Sequence, residues 1–130
     1  MILVDTSVWV DHLRSGLPLL ANLLQEGDVL IHPWVIGEIA CGNLRNRNQV
    51  LNLLQGLPTA VVASDSEVLL LIERSNLMGR GIGYVDAALL AAAKLSRCGL
   101  WTQDRRLAAL AQDQGLPGPK DRWAQGLIQS

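Results

Sequence analysis

The chain has no excess of charge of either sign. Its 130 residues carry 11 Lys and Arg and 12 Asp and Glu, which gives a formal net charge of −1. Nucleic-acid-binding proteins often have a strongly positive balance, so any basic surface on this protein must be local. Nine of the eleven basic residues are Arg, whose planar guanidinium suits bidentate contacts with phosphate, although most of them are expected to be ordinary surface residues.

Cysteines and long apolar runs are scarce as well. Cys41 and Cys98 form no CxxC pair, which disfavours a zinc site or a disulfide scaffold and indicates free thiols in a reducing compartment. The longest apolar run, residues 87–93, is too short to cross a bilayer, and the first residues lack the pattern of a signal peptide. We therefore expect a cytoplasmic protein that does not bind membranes.

The chain does contain enough apolar residues to build a core. Hydrophobic residues make up 49% of it and charged residues 18%, a balance that excludes a disordered protein. The length fits one domain, and no change in composition divides it. We expect a single domain over residues 1–130, in which the tail, residues 117–130 with Trp123, has no assigned role.

Short apolar segments alternate with amphipathic ones along the chain. The predicted strands are residues 2–5, 29–32, 59–62 and 100–102, with 116–119 as a last edge segment. The predicted helices are residues 7–15, 18–26, 33–43, 47–55, 64–78, 84–97 and 105–114, with a possible short helix in 121–130. This alternation predicts an α/β fold with a central parallel sheet of four to five strands, covered by helices on both faces.

Two aspartates stand where predicted strands end. Asp5 closes the first strand, and Asp104 follows the strand at 100–102. In open parallel sheets, ligands bind beyond the carboxyl ends of the strands, at the point where the strand order reverses. Each residue also has an ordinary alternative role, because an aspartate directly before a helix accepts a hydrogen bond as its N-cap.

Two further acids lie on predicted helices. Glu38 shares a helix face with Gly42, where a bare surface indicates close approach by another group, although a solvated helix glutamate is the ordinary alternative. Asp86 lies in the first turn of an apolar helix, where it suits the helix dipole. A buried carboxylate without a partner is costly, so Asp86 calls for a hydrogen bond or a cation.

Carboxylates brought together at one edge of the sheet repel one another unless a cation neutralises them. Mg²⁺ and Mn²⁺ prefer oxygen ligands and commonly combine a few carboxylates with water and substrate phosphate. Such a site suits hydrolysis of phosphodiester bonds, because a bound metal ion lowers the pKa of the attacking water.

Four motifs, in this order, resemble a known family. They are LVDTSVW near the amino end, EIACG, GIGYVDAALLAAA and LWTQDRRL. Together they resemble the PIN-domain ribonucleases, and best the VapC-type toxins of bacterial and archaeal toxin–antitoxin modules, over residues 2 to about 115. The resemblance implies a three-layer α/β/α PIN-like domain in which the first strand is central and lies next to the strand that precedes Asp104.

The resemblance also assigns roles to individual residues. The acidic, metal-binding and catalytic quartet would be Asp5, Glu38, Asp86 and Asp104. The supporting hydroxyl residues would be Thr6 and Ser7, which could orient Asp5 or a bound water, and Thr102, which would support the last acid. The family implies Mg²⁺ or Mn²⁺, cleavage of RNA, a homodimer and a cognate antitoxin protein that blocks the site.

Three arginines are candidates for contact with RNA. Arg80 lies in the Gly-rich segment MGRGIG before the helix of Asp86, and Arg105 and Arg106 follow Asp104 directly. Arginine pairs well with phosphate, although exposed arginines in a loop or on a helix are the ordinary alternative.

The histidines and most tryptophans are expected to serve structure. His12 and His32 have no His or Cys partner at ligand spacing, so structural roles are favoured over metal binding. Core or dimer contacts, rather than stacking on bases, are expected for Trp9, Trp34 and Trp101.

Two other functions compete with a nuclease. A phosphohydrolase with an aspartate nucleophile would need a second Asp where Ser7 stands. A catalytically silent PIN-like module that binds RNA or protein is the remaining alternative, and retention of all four acids argues against it.

Overall fold

The structure, a computed structural model, describes residues 1–119, so Trp123 and the short helix predicted in 121–130 lie outside the described residues. The strands are β1 (Ile2–Val4), β2 (Val29–Leu30) and β3 (Gly99–Trp101). The helices are α1 (Thr6–Ser15), α2 (Pro18–Gln25), α3 (Pro33–Ala40), α4 (Arg47–Gln55), α5 (Asp65–Arg74), α6 (Tyr84–Ser96) and α7 (Arg105–Asp113). None of these helices is long and apolar enough to span a membrane.

The three strands form a parallel sheet in the order β2-β1-β3. Ile2 lies opposite Val29 on one side and opposite Gly99 on the other. The first strand is therefore central and pairs with the strand that precedes Asp104, as the resemblance implies.

Two segments flank the sheet without forming full strands. Thr59 pairs with Ile31 in a single parallel bridge, in which the Ile31 amide donates to the Pro58 carbonyl and the Ala60 amide to the Ile31 carbonyl (both 2.9 Å). The pairing stops there because the next amide in register would be that of Pro33, which has no hydrogen to donate and begins α3. Beyond β3, the Leu100 amide donates to the Leu116 carbonyl (3.1 Å). The α/β fold and its parallel sheet are confirmed, with three strands and these two flanking segments in place of four to five full strands.

The path of the chain places helices on both faces of the sheet. From β1 the chain moves through β2 to Thr59 in one direction, and it then returns to place β3 on the other side of β1. Because parallel crossovers are right-handed, α1–α4 cover one face and α5–α7 the other. The helices pack accordingly, α1 and α4 on α3, α5 on α6, and α6 and α7 on β3. The strand order thus reverses between β1 and β3.

The core is built around the sheet and α6. All of residues 87–93 are buried, as their continuous apolar character predicts, so α6 lies in the interior with its first turn near the surface. Cys98 is also buried, whereas Cys41 is exposed, and both thiols are free.

His32 is the N-cap of α3 and is almost fully buried. Its Nδ1 accepts a hydrogen bond from the Trp34 amide (3.1 Å), and only 1% of the residue is exposed. His12 plays a similar part, since its Nδ1 accepts from the Leu17 amide (3.0 Å). Both contacts are structural, which agrees with the role expected for the two histidines.

Burial of His32 makes stability depend on pH in a predictable direction. Burial lowers the pKa of His32 below its ordinary value of 6.5, so the unfolded chain binds more protons than the folded chain just below that pH. The free energy of unfolding should therefore have its full value above about pH 6.5 and decrease as the pH is lowered below it. We expect urea titrations of His32→Asn, which keeps an N-cap acceptor, to show a weaker fall. An unchanged slope would contradict this assignment.

Candidate active site

Asp5 lies at the carboxyl end of the central strand, at the point where the strand order reverses. Its amide donates to the Trp101 carbonyl (2.9 Å), which extends the pairing of β1 with β3. Its own carbonyl accepts from the amide of Val8, at the start of α1 (3.1 Å). The residue is 8% exposed, so its carboxylate is held close to the edge of the sheet.

The Asp5 carboxylate accepts three hydrogen bonds. Oδ1 accepts from the Thr6 amide (2.7 Å), and Oδ2 accepts from the hydroxyls of Ser7 (3.1 Å) and Thr102 (2.7 Å). The N-cap role is thus confirmed, but a carboxylate has about four lone-pair sites. The three bonds together therefore leave Asp5 able to bind one further group.

Thr102 and Ser7 join the two strand ends. The Thr102 hydroxyl accepts from the Asp104 amide (3.1 Å) while it donates to Asp5. The Ser7 hydroxyl likewise accepts from the Gln103 amide (3.1 Å). Thr102 therefore supports both the first and the last acid, whereas the sequence connected it with the last acid only.

Asp104 is the N-cap of α7. Its Oδ1 accepts from the amides of Arg106 (2.9 Å) and Leu107 (3.1 Å), and its side chain is exposed. As with Asp5, the capping alternative is correct. The second carboxylate oxygen has no hydrogen bond to any of residues 1–119.

Glu38 reaches the site through Thr6. The Thr6 hydroxyl donates to Glu38 Oε1 (2.9 Å), which joins the exposed Glu38 side chain on α3 to the start of α1. The sequence suggested that Thr6 assists Asp5, but its hydroxyl is used on Glu38. The expectation for Gly42 is wrong, because α3 ends at Ala40 and Gly42 lies in the turn beyond it.

Asp86 is the third residue of α6 and accepts from the Gly83 amide (3.2 Å). Burial raises the pKa of Asp86 above its ordinary value, the Gly83 hydrogen bond opposes the rise, and the negative charges of Asp5 and Asp104 add to it. Asp86 thus lies close enough to Asp5 and to Asp104 to be repelled by the charge of each. Mutual repulsion of this kind is what a bound cation relieves.

The donor set fits a hard cation, although its arrangement is not that of a formed site. All four side chains offer carboxylate oxygens, the ligands that Mg²⁺ and Mn²⁺ prefer. Among residues 1–119, however, no three His, Cys, Asp or Glu side chains are arranged to hold one ion. The acids instead bond to nearby amides and hydroxyls, so the metal-binding role of the quartet stays a prediction.

The predicted RNA-binding arginines lie around this edge. Arg80, Arg105 and Arg106 are all exposed. Gly81, with φ of +79°, lies under the Arg106 side chain, and a Cβ on it would be 2.6 Å from Arg106 Nη1. The side chain at the start of α7 therefore lies across the Gly-rich loop that carries Arg80, a contact that no local sequence pattern indicates.

The structure excludes one of the two roles expected for Trp34, a place in the core, and the other, a dimer contact, stays a prediction. Trp9 is 3% exposed and belongs to the core, as expected, but Trp34 is 40% exposed. Its ring lies against that of Tyr84, which is also 40% exposed, with ring centroids 5.9 Å apart. Sequence reasoning missed this aromatic pair because its members are 50 residues apart in the chain.

Comparisons with known proteins agree with this architecture. The family model described as PIN domain matches residues 2–113. Ribonuclease VapC32 of Mycobacterium tuberculosis, from strains CDC 1551 / Oshkosh and ATCC 25618 / H37Rv, is 45% identical over 117 residues, which cover 89% of this chain and 94% of that protein. The crystal structure of PAE2754 from Pyrobaculum aerophilum has the same fold, with a TM-score of 0.58 at 21% identity over 84% of this chain and 78% of that one.

Proposed function

The chain belongs to the PIN domain family, and from this premise we propose that it is a divalent-metal-dependent endoribonuclease, the VapC-type toxin of a toxin–antitoxin pair. The observation that carries the proposal is the group of carboxylates at the point where the strand order reverses. Asp86 feels the charges of both Asp5 and Asp104 there. The similarity to Ribonuclease VapC32 over most of both chains supports the same activity.

Each acid has a role in this proposal. Asp5, Glu38, Asp86 and Asp104 hold Mg²⁺ or Mn²⁺ next to the phosphate that is cut. The ion, when bound, neutralises charge on the phosphate and lowers the pKa of a water molecule that attacks it. The protein supplies orientation: Ser7 and Thr102 fix the Asp5 carboxylate, and Thr6 holds Glu38 beside it.

The arginines supply contacts for the RNA backbone. Arg80 lies on the Gly-rich loop, and Arg105 and Arg106 lie at the start of α7, directly after Asp104; the Arg106 side chain lies against Gly81 of that loop. Arginine binds phosphate through charge-assisted hydrogen bonds. They would supply local positive charge for the RNA backbone, although the chain as a whole has a net charge of −1.

The partners follow from the same proposal. A cognate antitoxin protein would block the site, and two copies of the chain would form a homodimer. The similarity to Ribonuclease VapC32 supports the antitoxin partner, and the homodimer rests on the resemblance to the family. The free thiols fit the reducing cytoplasm in which such a pair acts.

Removal of divalent cations provides the direct test. Cleavage of a fluorescently labelled RNA, followed on denaturing gels, is expected to stop in EDTA and to return when excess Mg²⁺ or Mn²⁺ is added. A circular dichroism spectrum recorded in EDTA is the control for loss of fold. Cleavage that persists in EDTA would contradict the metal assignment.

Calorimetry separates the nuclease from the binding module. Titration of the protein with Mn²⁺ should release or absorb heat, and the signal should be lost in Asp5→Asn. A protein that binds RNA but neither binds Mn²⁺ nor cuts would be the catalytically silent PIN-like module instead.

A further inference from the structure

We propose that Trp34 and Tyr84 form a stacking surface for a base of the RNA next to the phosphate that is cut. The inference rests on the proposed ribonuclease activity and adds to it a part that positions the substrate. It starts from the two exposed rings, which lie together at the same edge of the sheet as the acids.

Both rings are placed by the elements that carry the acids. Trp34 precedes Glu38 by four residues on α3, so the two side chains are on the same face of that helix. Tyr84 is the first residue of α6, two residues before Asp86. The ring contact between Trp34 and Tyr84 therefore joins the starts of the two helices that carry Glu38 and Asp86.

The rings are held in place although their surfaces are exposed. The Trp34 amide is bound by His32, whose ring packs edge-on against the indole with centroids 5.9 Å apart. The Tyr84 hydroxyl donates to Asp65 at the start of α5. A surface fixed before binding loses little conformational entropy when it binds a ligand, which favours recognition over a chance exposure.

The apolar surface continues beyond Tyr84. Tyr84 lines a cavity of about 180 Å³ together with Met78 and Ile82 from the Gly-rich loop, and Met78 is 54% exposed. The same loop lies under Arg106. Aromatic surface and phosphate-binding cation are thus adjacent in the fold.

This combination fits single-stranded RNA better than a protein partner. Proteins that bind single strands pair cationic groups along the backbone with aromatic rings on which bases stack. Unstacked bases of single-stranded RNA present flat faces to such rings. In the proposed function, the acids at the same edge hold a metal ion that acts on a phosphate. A nucleotide supplies a phosphate beside its base, and an apolar protein segment does not.

Abasic substrates test whether a base stacks on the pair. The cleavage site is first mapped on a mixed-sequence, 20-nucleotide single-stranded RNA. Two further RNAs are then made, one with an abasic nucleotide directly before the cut and one with it directly after the cut. For the unaltered protein, one of these positions should lower kcat/KM by about 5- to 160-fold, the range for the loss of one stacked base.

Variants of Trp34 assign the stacking to the ring. Trp34→Ala should lower kcat/KM on intact RNA by a similar factor and should lose nothing more on the sensitive abasic RNA. Trp34→Phe and Tyr84→Phe each keep an aromatic ring and should therefore keep most of the activity of the unaltered protein. Leu95→Ala is the matched control, because Leu95 is similarly exposed (42%) but lies near the other end of α6.

Three results would overturn the proposal. The first is an equal loss of kcat/KM for Trp34→Ala on intact and on abasic RNA, and the second is an unchanged kcat/KM of this variant on intact RNA. The third is a change in the oligomeric state of the variant, measured by light scattering, with unaltered kinetics per active site. That result would make the aromatic pair a subunit contact. A parent protein that cuts no RNA would refute the proposed function instead. Anisotropy with the labelled 20-mer and with a fully abasic strand of the same length then still decides the inference, since Trp34→Ala should weaken binding to the intact RNA but not to the abasic strand.

Discussion

Replacement of Asp5 by asparagine is expected to lower the rate of RNA cleavage by about 100-fold or more and to leave the fold intact. A hundredfold loss corresponds to about 2.7 kcal/mol of transition-state stabilisation, and a metal ion contributes several kcal/mol of this kind. The asparagine would keep the shape of the side chain but lose the negative charge that holds the cation in the proposed function. The measurement is cleavage of a labelled RNA in Mg²⁺ by the parent and the variant.

The hydrogen bonds of Asp5 explain why the fold should survive. The carbonyl of the substituted asparagine can still accept from the Thr6 amide, and its amino group faces the hydroxyls of Ser7 and Thr102, which can turn to accept. The loss of stability should therefore be about 1 kcal/mol. Asp5→Ala would lose the cap as well and cost more.

Asp28→Asn is the matched control for this charge change. Asp28 lies at the opposite edge of the sheet, where its carbonyl accepts from the Ile2 amide (2.8 Å). This variant should cut RNA at the parent rate. Equal rates for Asp5→Asn and the parent would show that the metal site has been assigned to the wrong residue.

Replacement of Gly99 by alanine should destabilise the protein by about 3 kcal/mol, near the upper end of the usual cost of overpacking. A Cβ at this position would lie 2.1 Å from the Pro117 carbonyl oxygen and 2.8 Å from Ile2 Cδ1. The oxygen belongs to the backbone of the segment that follows α7, so it cannot turn away as a side chain does. Urea or thermal unfolding would measure the loss, which corresponds to roughly 10 °C in Tm for a domain of this size.

Gly37 offers the matched control for Gly99. It lies inside α3, and nothing is within 4 Å of the position that its Cβ would occupy. Gly37→Ala should therefore stabilise the protein by about 0.5–1 kcal/mol, because alanine favours the helical state. If Gly99→Ala proved as stable as the parent, the segment after α7 could not be packed against β3 as described.

Local sequence signals predicted the elements and their order. The bounds of α4 were predicted correctly, and the Ser64–Glu67 capping box forms at the start of α5. The strand predicted at 59–62 is reduced to one bridge, because Pro33 on the neighbouring segment has no amide hydrogen and α3 begins there. Apolar character identifies a segment that can pair, but it does not show how far its neighbour stays extended.

The candidate site divides in the same way. The ends of β1 and β3 could be placed together because parallel strands carry Asp5 and the residues before Asp104 to one edge. The donation from Thr6 to Glu38 and the packing of Trp34 on Tyr84 could not be predicted. Both depend on how α3 packs against its neighbours, and side-chain contacts between distant elements have no local periodic signal.

The pairing of the first strand with the last also sets when the protein becomes active during its synthesis. Asp5 and Thr102, which share a hydrogen bond, are 97 residues apart in the chain. Contacts of such separation form late, because a long loop must close before they can be made. A ribosome that is still translating this chain therefore carries Asp5 without Asp104, and on the roles proposed for these two acids the nascent protein cuts no RNA until residues 102–104 have emerged.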